Sequence, residues 1–322
     1  MTRKKKFPFV FMVVLNWNGL EHLKYCIPSL LKTDYPNYHI LFVDNASKDG
    51  SVEFVRKNYP EMEILANPQN LGWSGGNNTG IIKGIKAKAD YIILLNNDIL
   101  IDPPWIKFAV ETCESDKEIG MLGFEVYGAG EKVPVKEFEE ARKKFKKLIV
   151  KNTKSIRGLA LFVKREVFEN IGLIDEVYFA YGEENDIEFR AGLAGYRLVE
   201  INVPLWHYCE GSWGKRRWKA SYLAIRNTMR LAIKNYNLFD IIKIIGFVWF
   251  ISSFPFKKID REDVHRRRLR PSWSFINFWL FLYCLIWNII HLPETLILRN
   301  KDLKKVRKTR KKLKLKDYNI LK

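Results

Sequence analysis

Cysteine is scarce: Cys26, Cys113, Cys209 and Cys284 are the only four in a chain of 322 residues. Their scatter gives no ligand-like spacing, and no apolar leader precedes Phe7. A zinc site is therefore not expected, and the chain reads as reducing and cytoplasmic. Acid is short relative to base. The 36 Asp and Glu against 55 Lys and Arg leave a net charge of +19, which favours a polyanionic partner. The basic residues lack the pattern of a folded recognition motif: they crowd after Pro255 and again after Arg299, on either side of an apolar segment. That distribution argues against nucleic acid and for anionic lipid. The glycine fingerprint of a dinucleotide-binding dehydrogenase is absent from its place after the first strand, where Asn16-Trp17-Asn18-Gly19 stands. A glycine-rich, arginine-bearing loop is missing there too, which disfavours a sugar nucleotidyltransferase.

What is present is a regular alternation of strand and helix. Phe9–Leu15 is an apolar, β-branched run suited to a buried first strand, and Glu21–Lys32 follows with helical periodicity through Leu23, Ile27, Leu30 and Leu31. Ile40–Val43 forms a second strand ending in Asp44-Asn45-Ala46-Ser47, a second helix opens across Ser47–Ser51, and Glu63–Ala66 makes a third strand. The glycine-rich stretch Asn70–Gly80 leads into a helix over Ile81–Ala87, and Tyr91–Leu95 is again a buried strand. Further on come a helix near Trp105–Cys113 and strands at Met121–Tyr127, Gly158–Val163 and Arg197–Val203. Gly128–Lys154 reads as a charged, solvated loop or helix inserted between strands. The pace is that of βαβ units around a largely parallel sheet.

Polar residues gather at the strand ends, where open α/β sheets bind ligands. Leu94-Leu95 runs without a break into Asn96-Asn97-Asp98, so Asp98 is placed to hold a hard cation against a diphosphate. The glycines of Asn70–Gly80 would let backbone amides at a helix start approach that diphosphate. Glu183-Glu184-Asn185-Asp186 opens a helix running to about Ala194. Capping explains acids in a first turn, but three in four residues exceed it, and crowding of like charges raises at least one pKa toward that of a useful base. The last strand delivers Trp206-His207-Tyr208 to its end.

In order and spacing these markers resemble the inverting family-2 glycosyltransferases, in particular their rhamnosyltransferase-like branch, over about Phe9 to Trp213. The resemblance implies an α/β GT-A fold, a nucleotide diphosphate sugar donor (a UDP- or dTDP-sugar), a glycan or lipid-linked glycan acceptor, and a divalent cofactor, Mg2+ or Mn2+. Carried over residue by residue, it makes Asp44 the acid that hydrogen-bonds the donor's pyrimidine, with Asn16 and Asn18 beside it. It puts Asn45, Asn97 and, from the glycine stretch, Asn70, Gly72, Trp73, Gly75, Gly76 and Asn77 along the nucleotide sugar. Asp98 matches the last acid of the metal-binding Asp-x-Asp, and Asn96 stands where the first acid belongs. His207 resembles the histidine that completes the metal shell in some members. Glu184 matches the catalytic base, with Glu183 and Asp186 as reserve candidates. A membrane module that keeps nucleotide-sugar binding without catalysis is the rival motivated by Asn96, and the intact acid cluster argues against it.

Residues 1–218 are expected to form the catalytic domain and 219–322 a helical, basic appendage. There, Tyr222–Asn235 reads as an amphipathic helix with Arg226, Arg230 and Lys234 on its polar side. Leu238–Phe256 and Trp273–Leu292 are strongly apolar and flanked by Arg266-Arg267-Arg268 with Arg270 and by Lys304–Lys316. Either crossing arrangement would put a basic cluster outside, against the positive-inside rule. The preferred reading is therefore peripheral or monotopic, at the cytoplasmic face of an anionic membrane, over a single span.

Overall fold

The apolar run near the N-terminus becomes β1 (Val10–Asn16), buried along its whole length. Its residues alternate between two cores: Val10, Met12 and Val14 join one, Phe11, Val13 and Leu15 the other. Only a strand covered on both faces needs such a run. The structure is a computed structural model that describes residues 7–127, 136–208, 217–253 and 274–313. The expectations on the Met1–Lys6 tail, Cys209, the Arg266–Arg268 and Arg270 cluster, Trp273 and the lysines after Leu313 lie outside the described residues.

Beside β1 lie β2 (Tyr38–Asp44) and then β3 (Glu63–Ala66) on one side and β4 (Tyr91–Asn96) on the other, all parallel. The sheet continues through β8 (Ala160–Lys164), β6 (Ile119–Tyr127) and β9 (Arg197–His207) to the short β5 (Ile99–Ile101). Strand β8 runs antiparallel to both neighbours, and β9 is parallel to β6. The carboxyl ends of β1, β2, β4, β6 and β9 consequently share one edge, as a mixed α/β sheet of the GT-A type requires. Helices α1 (Leu20–Leu31) and α4 (Trp105–Ser115) pack on one face; α3 (Gly72–Lys86), α6 (Arg165–Ile171) and α7 (Glu183–Ala194) pack on the other. The remaining N-terminal helix is α2 (Ser51–Asn58). The charged insertion contains helix α5 (Lys136–Lys144), tied to Asp102 by Arg142 at 2.6 Å, and strand β7 (Val150–Asn152), which pairs with β9.

Helix α3 begins nine residues earlier than the sequence reading places it, at Gly72. Its glycines serve close packing: a Cβ at Gly76 would press on Leu15 and Asn45, and one at Gly80 would overlap Val13. The helix thus lies directly on β1 and β2.

The C-terminal region comprises α8 (Arg217–Asn235), α9 (Leu238–Ser253), α10 (Ser274–Ile290) and α11 (Leu292–Lys312). The boundary expected at 218/219 falls in the first turn of α8. That helix turns its polar side inward, contrary to expectation: Arg226, Arg230 and Lys234 are all buried. Lys234 Nζ lies 3.0 Å from Asp186, 3.2 Å from Asp175 and 3.0 Å from Asp302, while Arg230 meets Asp175 at 3.1 Å. Buried cations persist only with such partners. Helix α11 closes the arrangement: Arg310 donates to Leu193 O near the end of α7, and Arg299 donates to Ile233 O near the end of α8. Part of the basic tail read as lipid-facing is therefore helix capping. Another face of α8 packs with α9 and α10 in a separate core of Ala224, Ile225, Met229, Val248, Phe281 and Cys284.

Candidate functional site

At the shared edge, Asn16 and Asp44 end neighbouring strands in register. Asn16 Nδ2 donates to Asp44 Oδ1 at 2.9 Å and to Ser47 Oγ at 3.1 Å, and the Ser47 amide donates to Asp44 Oδ2 at 2.8 Å. Asn18, exposed and left-handed at φ 50°, accepts the Lys48 amide at 2.8 Å. Asn97 donates to Asn16 Oδ1. This approach is close enough that a Cβ at Gly19 would overlap the Asn97 amide. Asn16, Asp44 and Asn97 therefore form one hydrogen-bonded group with Ser47, whose hydroxyl also takes the Asn18 amide at 2.8 Å, and Asn16 and Asp44 are buried within it.

The rest of the expected nucleotide-sugar set is engaged elsewhere. Asn45 is buried, donating to Gly72 O at 2.8 Å and accepting from Asn67 at 2.9 Å. Asn70 Oδ1 takes the Gly72 amide at 2.8 Å. The amides of Trp73 and Ser74 both donate to Phe179 O, at 2.6 and 3.2 Å. Asn77 is buried and donates to Trp73 O at 3.0 Å. Where a diphosphate cradle is expected of Gly72, Gly75, Gly76 and their neighbours, the Trp73 and Ser74 amides cap onto Phe179, Gly72 lies against Phe179, Gly75 against Leu71, and Gly76 packs the helix on the sheet. The Trp73 side chain reaches the edge, donating Nε1–H to Asn96 Oδ1 at 3.1 Å.

Asp98 lies between β4 and β5, and β5 pairs with the end of β9, Ile99 opposite His207. The pairing sets His207 Nε2 3.1 Å from Asp98 Oδ1 and the Tyr208 amide 3.1 Å from Asp98 O. His22, from the first turn of α1, lies against Tyr208 with ring centroids 4.8 Å apart and the planes tilted by 46°. Burial lowers its pKa, the Asp98 charge opposes this, and His207 adds to it. Among the described residues no three His, Cys, Asp or Glu side chains form a metal cage. Two converging donors, the Asp98 carboxylate and the His207 imidazole, suit a Mg2+ or Mn2+ that arrives with phosphates, since such ions bind one or two protein carboxylates plus substrate oxygens. Asn96 adds no charge.

Three acids open α7, and they differ in exposure. Glu183 and Asp186 are buried, whereas Glu184 is half-exposed. Burial would raise the Asp186 carboxyl, but Arg190 and Lys234 outweigh it and hold it at about 2. It accepts Arg190 Nε at 2.9 Å, Lys234 Nζ at 3.0 Å and Asn235 Nδ2 at 2.8 Å. The reserve role expected for Asp186 is thereby corrected: it is the anion of a buried ion cluster. The raised carboxyl is instead one turn on. Burial, aided by the Glu184 charge, lifts Glu188 to about 8 against the opposing Ile156 amide, 2.8 Å from Glu188 Oε1. Gly158 joins the two halves of the crevice, because a Cβ there would sit 3.5 Å from Glu184 Cβ and 3.6 Å from the Trp73 ring. Gly158 thus lies between Glu184 and Trp73, and Trp73 in turn reaches Asn96. Cys26, Cys113 and Cys284 are free thiols pushed by burial to about 12, so none is a nucleophile at neutral pH.

The family described as Glycosyl transferase family 2 matches residues 10–172, half of the chain. The chain belongs to glycosyltransferase family 2. It is similar to glycosyltransferase AglE of Haloferax volcanii, 27% identical over 204 residues that make 60% of this chain and 64% of AglE. It is also similar to the N-acetylglucosaminyl-diphospho-decaprenol L-rhamnosyltransferase of Mycobacterium tuberculosis, 26% identical over 247 residues, 66% of this chain and 80% of the relative. The first of these is spanned for slightly less than two thirds of its length. Among solved structures, GalNAc-T7 with UDP, GalNAc and Mn2+ superposes with a TM-score of 0.58 at 17% identity, covering 89% of this chain and 58% of that one. The matched family-2 region includes Asn16, Asp44 and Asp98 and stops before Glu184 and His207, which are joined to it by the β5–β9 pairing and by Gly158. Sequence reasoning on this family-2 chain missed His22, Gly158 and Glu188. Only Glu188, four residues after Glu184 and so on its helix face, carried a readable signal.

Proposed function

We propose that the chain is a metal-dependent inverting glycosyltransferase moving a sugar from a UDP- or dTDP-sugar to a hydroxyl of a glycan or lipid-linked acceptor. The observation carrying this reading is the convergence on one sheet edge of the Asn16–Asp44 group, the Asp98–His207 pair and, through Trp73 and Gly158, Glu184. Asp44 and Asn16 hold the base and ribose end of the donor. Asp98 and His207 hold the cation, which when bound neutralises charge growing on the departing diphosphate. Glu184 accepts the acceptor hydroxyl's proton as that oxygen attacks the anomeric carbon from the opposite side, which inverts the centre. The superposed GalNAc-T7 structure holds UDP and Mn2+, a nucleotide and a cation of the classes proposed here.

A thermal-shift screen of nucleotide diphosphate sugars with and without Mn2+ tests it and identifies the donor. Saturation at 100 times Kd stabilises by about 2.7 kcal/mol. Asp98→Ala is expected to lose the metal-dependent part of that shift. Asn96→Asp should enlarge it, because the carboxylate still accepts Trp73 Nε1–H and adds a charge beside the cation. Full donor stabilisation in excess chelator would sink the metal assignment.

The acceptor is proposed to lie at an anionic membrane surface. On α9, Leu238, Phe239, Ile242 and Phe250 are exposed, and on α10, Trp279, Tyr283, Ile286 and Ile290. An apolar surface of this extent is uncommon on a free soluble chain. Leu296 and Ile297 continue it onto α11, whose outer side then carries Lys301, Lys304, Arg307, Lys308 and Lys311. Among the described residues no single helix is long and apolar enough to cross a membrane, and the chain bends by 63° between α10 and α11. An apolar patch continued by a basic stripe suits an interfacial position. The protein should bind phosphatidylglycerol-containing vesicles, with salt weakening only part of the binding. Trp279→Ser with Ile290→Ser should lower partitioning roughly 10-fold or more, from about 1.5–3 kcal/mol per buried apolar side chain. Unchanged sedimentation of that variant would contradict the docking face.

A further inference from the structure

Glu184 is reached through an unusual piece of backbone. Phe179 and Tyr181 hold positive φ, 65° and 72°, and Gly182 follows at 93°. Bulky L-residues at positive φ are outliers that persist only where the surroundings impose them. The surroundings here are two helices. Phe179 O faces α3, accepting the Trp73 and Ser74 amides. The flanking carbonyls face α8: Asn227 Nδ2 lies 2.9 Å from Tyr178 O, 2.8 Å from Ala180 O and 2.7 Å from Tyr181 O. Arg226 adds Val177 O at 2.7 Å and Tyr178 O at 2.9 Å.

The orientation of the amide is determined by its other end. Arg226 Nε donates to Asn227 Oδ1 at 2.8 Å, so the NH2 group must face the three carbonyls. Asn227 is fully buried. Its support continues outward: the Arg226 guanidinium lies 4.6 Å from the Trp287 ring of α10, and Asn288 donates to Arg226 O at 3.1 Å. A turn whose Phe179 carbonyl faces α3 and whose other carbonyls face α8 leads directly into Gly182, whose amide meets Glu184 Oε2 at 3.2 Å.

We propose that Asn227 is a positioning residue for Glu184, holding the strained 178–182 turn so that the carboxylate faces the crevice; this rests on Glu184 being the base. The C-terminal helices then belong to the catalytic unit, since the group that sets the turn comes from α8.

The test compares the full-length parent with Asn227→Asp, which keeps shape but loses the amide protons, and Asn227→Ser, which keeps one donor should the first not fold. Amide exchange across 178–184 should rise by about 10-fold or more, with exchange in β1 and β4 unchanged. Turnover of the donor found in the thermal-shift screen should fall by about 10-fold or more in kcat, with its KM within about 2-fold, because the nucleotide end is untouched. A merely structural asparagine would lower global stability without that split. An unchanged turn, or a loosened turn with parental kcat, overturns the proposal. Glu184→Gln run alongside separates the two assignments: parental turnover in that variant removes Glu184 as base whatever Asn227 does.

Discussion

Replacing Glu184 by Gln is expected to reduce transfer by about 10²-fold or more while leaving donor and metal affinity at parental levels. The amide preserves the size of the side chain but cannot take a proton, so the loss should fall on the chemical step. Single-turnover transfer with donor bound and acceptor saturating isolates that step. The neighbouring acids should respond differently for reasons visible in the fold. Glu183 is buried, and Asp186 is fully enclosed among Arg190, Lys234 and Asn235. Their amide variants should lower stability before they touch the rate at saturating substrate. Glu188→Gln removes a buried carboxyl, pushed up to about 8 by burial and the Glu184 charge and so largely protonated at neutral pH, and should leave the rate within about 10-fold. Parental single-turnover rates for Glu184→Gln would exclude it and pass the role to whichever variant fails.

Much of the sheet is legible because its strands are continuous apolar runs, and the polar residues that end β1, β2 and β4 lie along one edge. The Asn16–Asp44–Asn97 group illustrates this: each residue directly follows or ends such a run. Glycine in α3 shows the limit. Gly72, Gly76, Gly80 and Gly84 recur every four residues, which is the period of one helical face, yet glycine-rich composition suggested a loop up to Gly80. The period was the better guide, since a helix without Cβ atoms on one face can lie on β1. Strand β5 was hidden by its length, three residues directly after a polar cluster, and its pairing with β9 is what joins Asp98 to His207. Polarity misled in α8. Arg226, Arg230 and Lys234 share a face as periodicity requires, but whether such a face meets water or buried acids depends on Asp175, Asp186 and Asp302, which come from distant parts of the chain.

Asp186→Ala should be among the most destabilising substitutions in the protein. It removes the carboxylate between Arg190 and Lys234, both buried, and Asp175 and Asp302 replace it incompletely: Asp302 is 3.7 Å from Arg190 Nε. Breaking one partner of a buried pair typically costs about 3–5 kcal/mol, because a charge is left enclosed without its counter-ion. The melting temperature should fall on the order of 10 °C. Asp186→Leu combined with Lys234→Met should recover much of that loss, since an apolar pair of similar size removes the desolvation penalty along with the attraction. The same carboxylate makes stability depend on acidity. Its pKa is held at about 2, below its ordinary 3.8, burial being outweighed by Arg190 and Lys234. Its contribution, about 2 kcal/mol, is therefore complete above about pH 4 and is lost as pH falls toward 2. Urea midpoints measured between pH 5 and pH 2 should drop more steeply for the parent than for Asp186→Asn. Parallel slopes for the two proteins would show that this cluster does not set acid stability, and a stable Asp186→Ala would show that Lys234 and Arg190 find their counter-charge elsewhere.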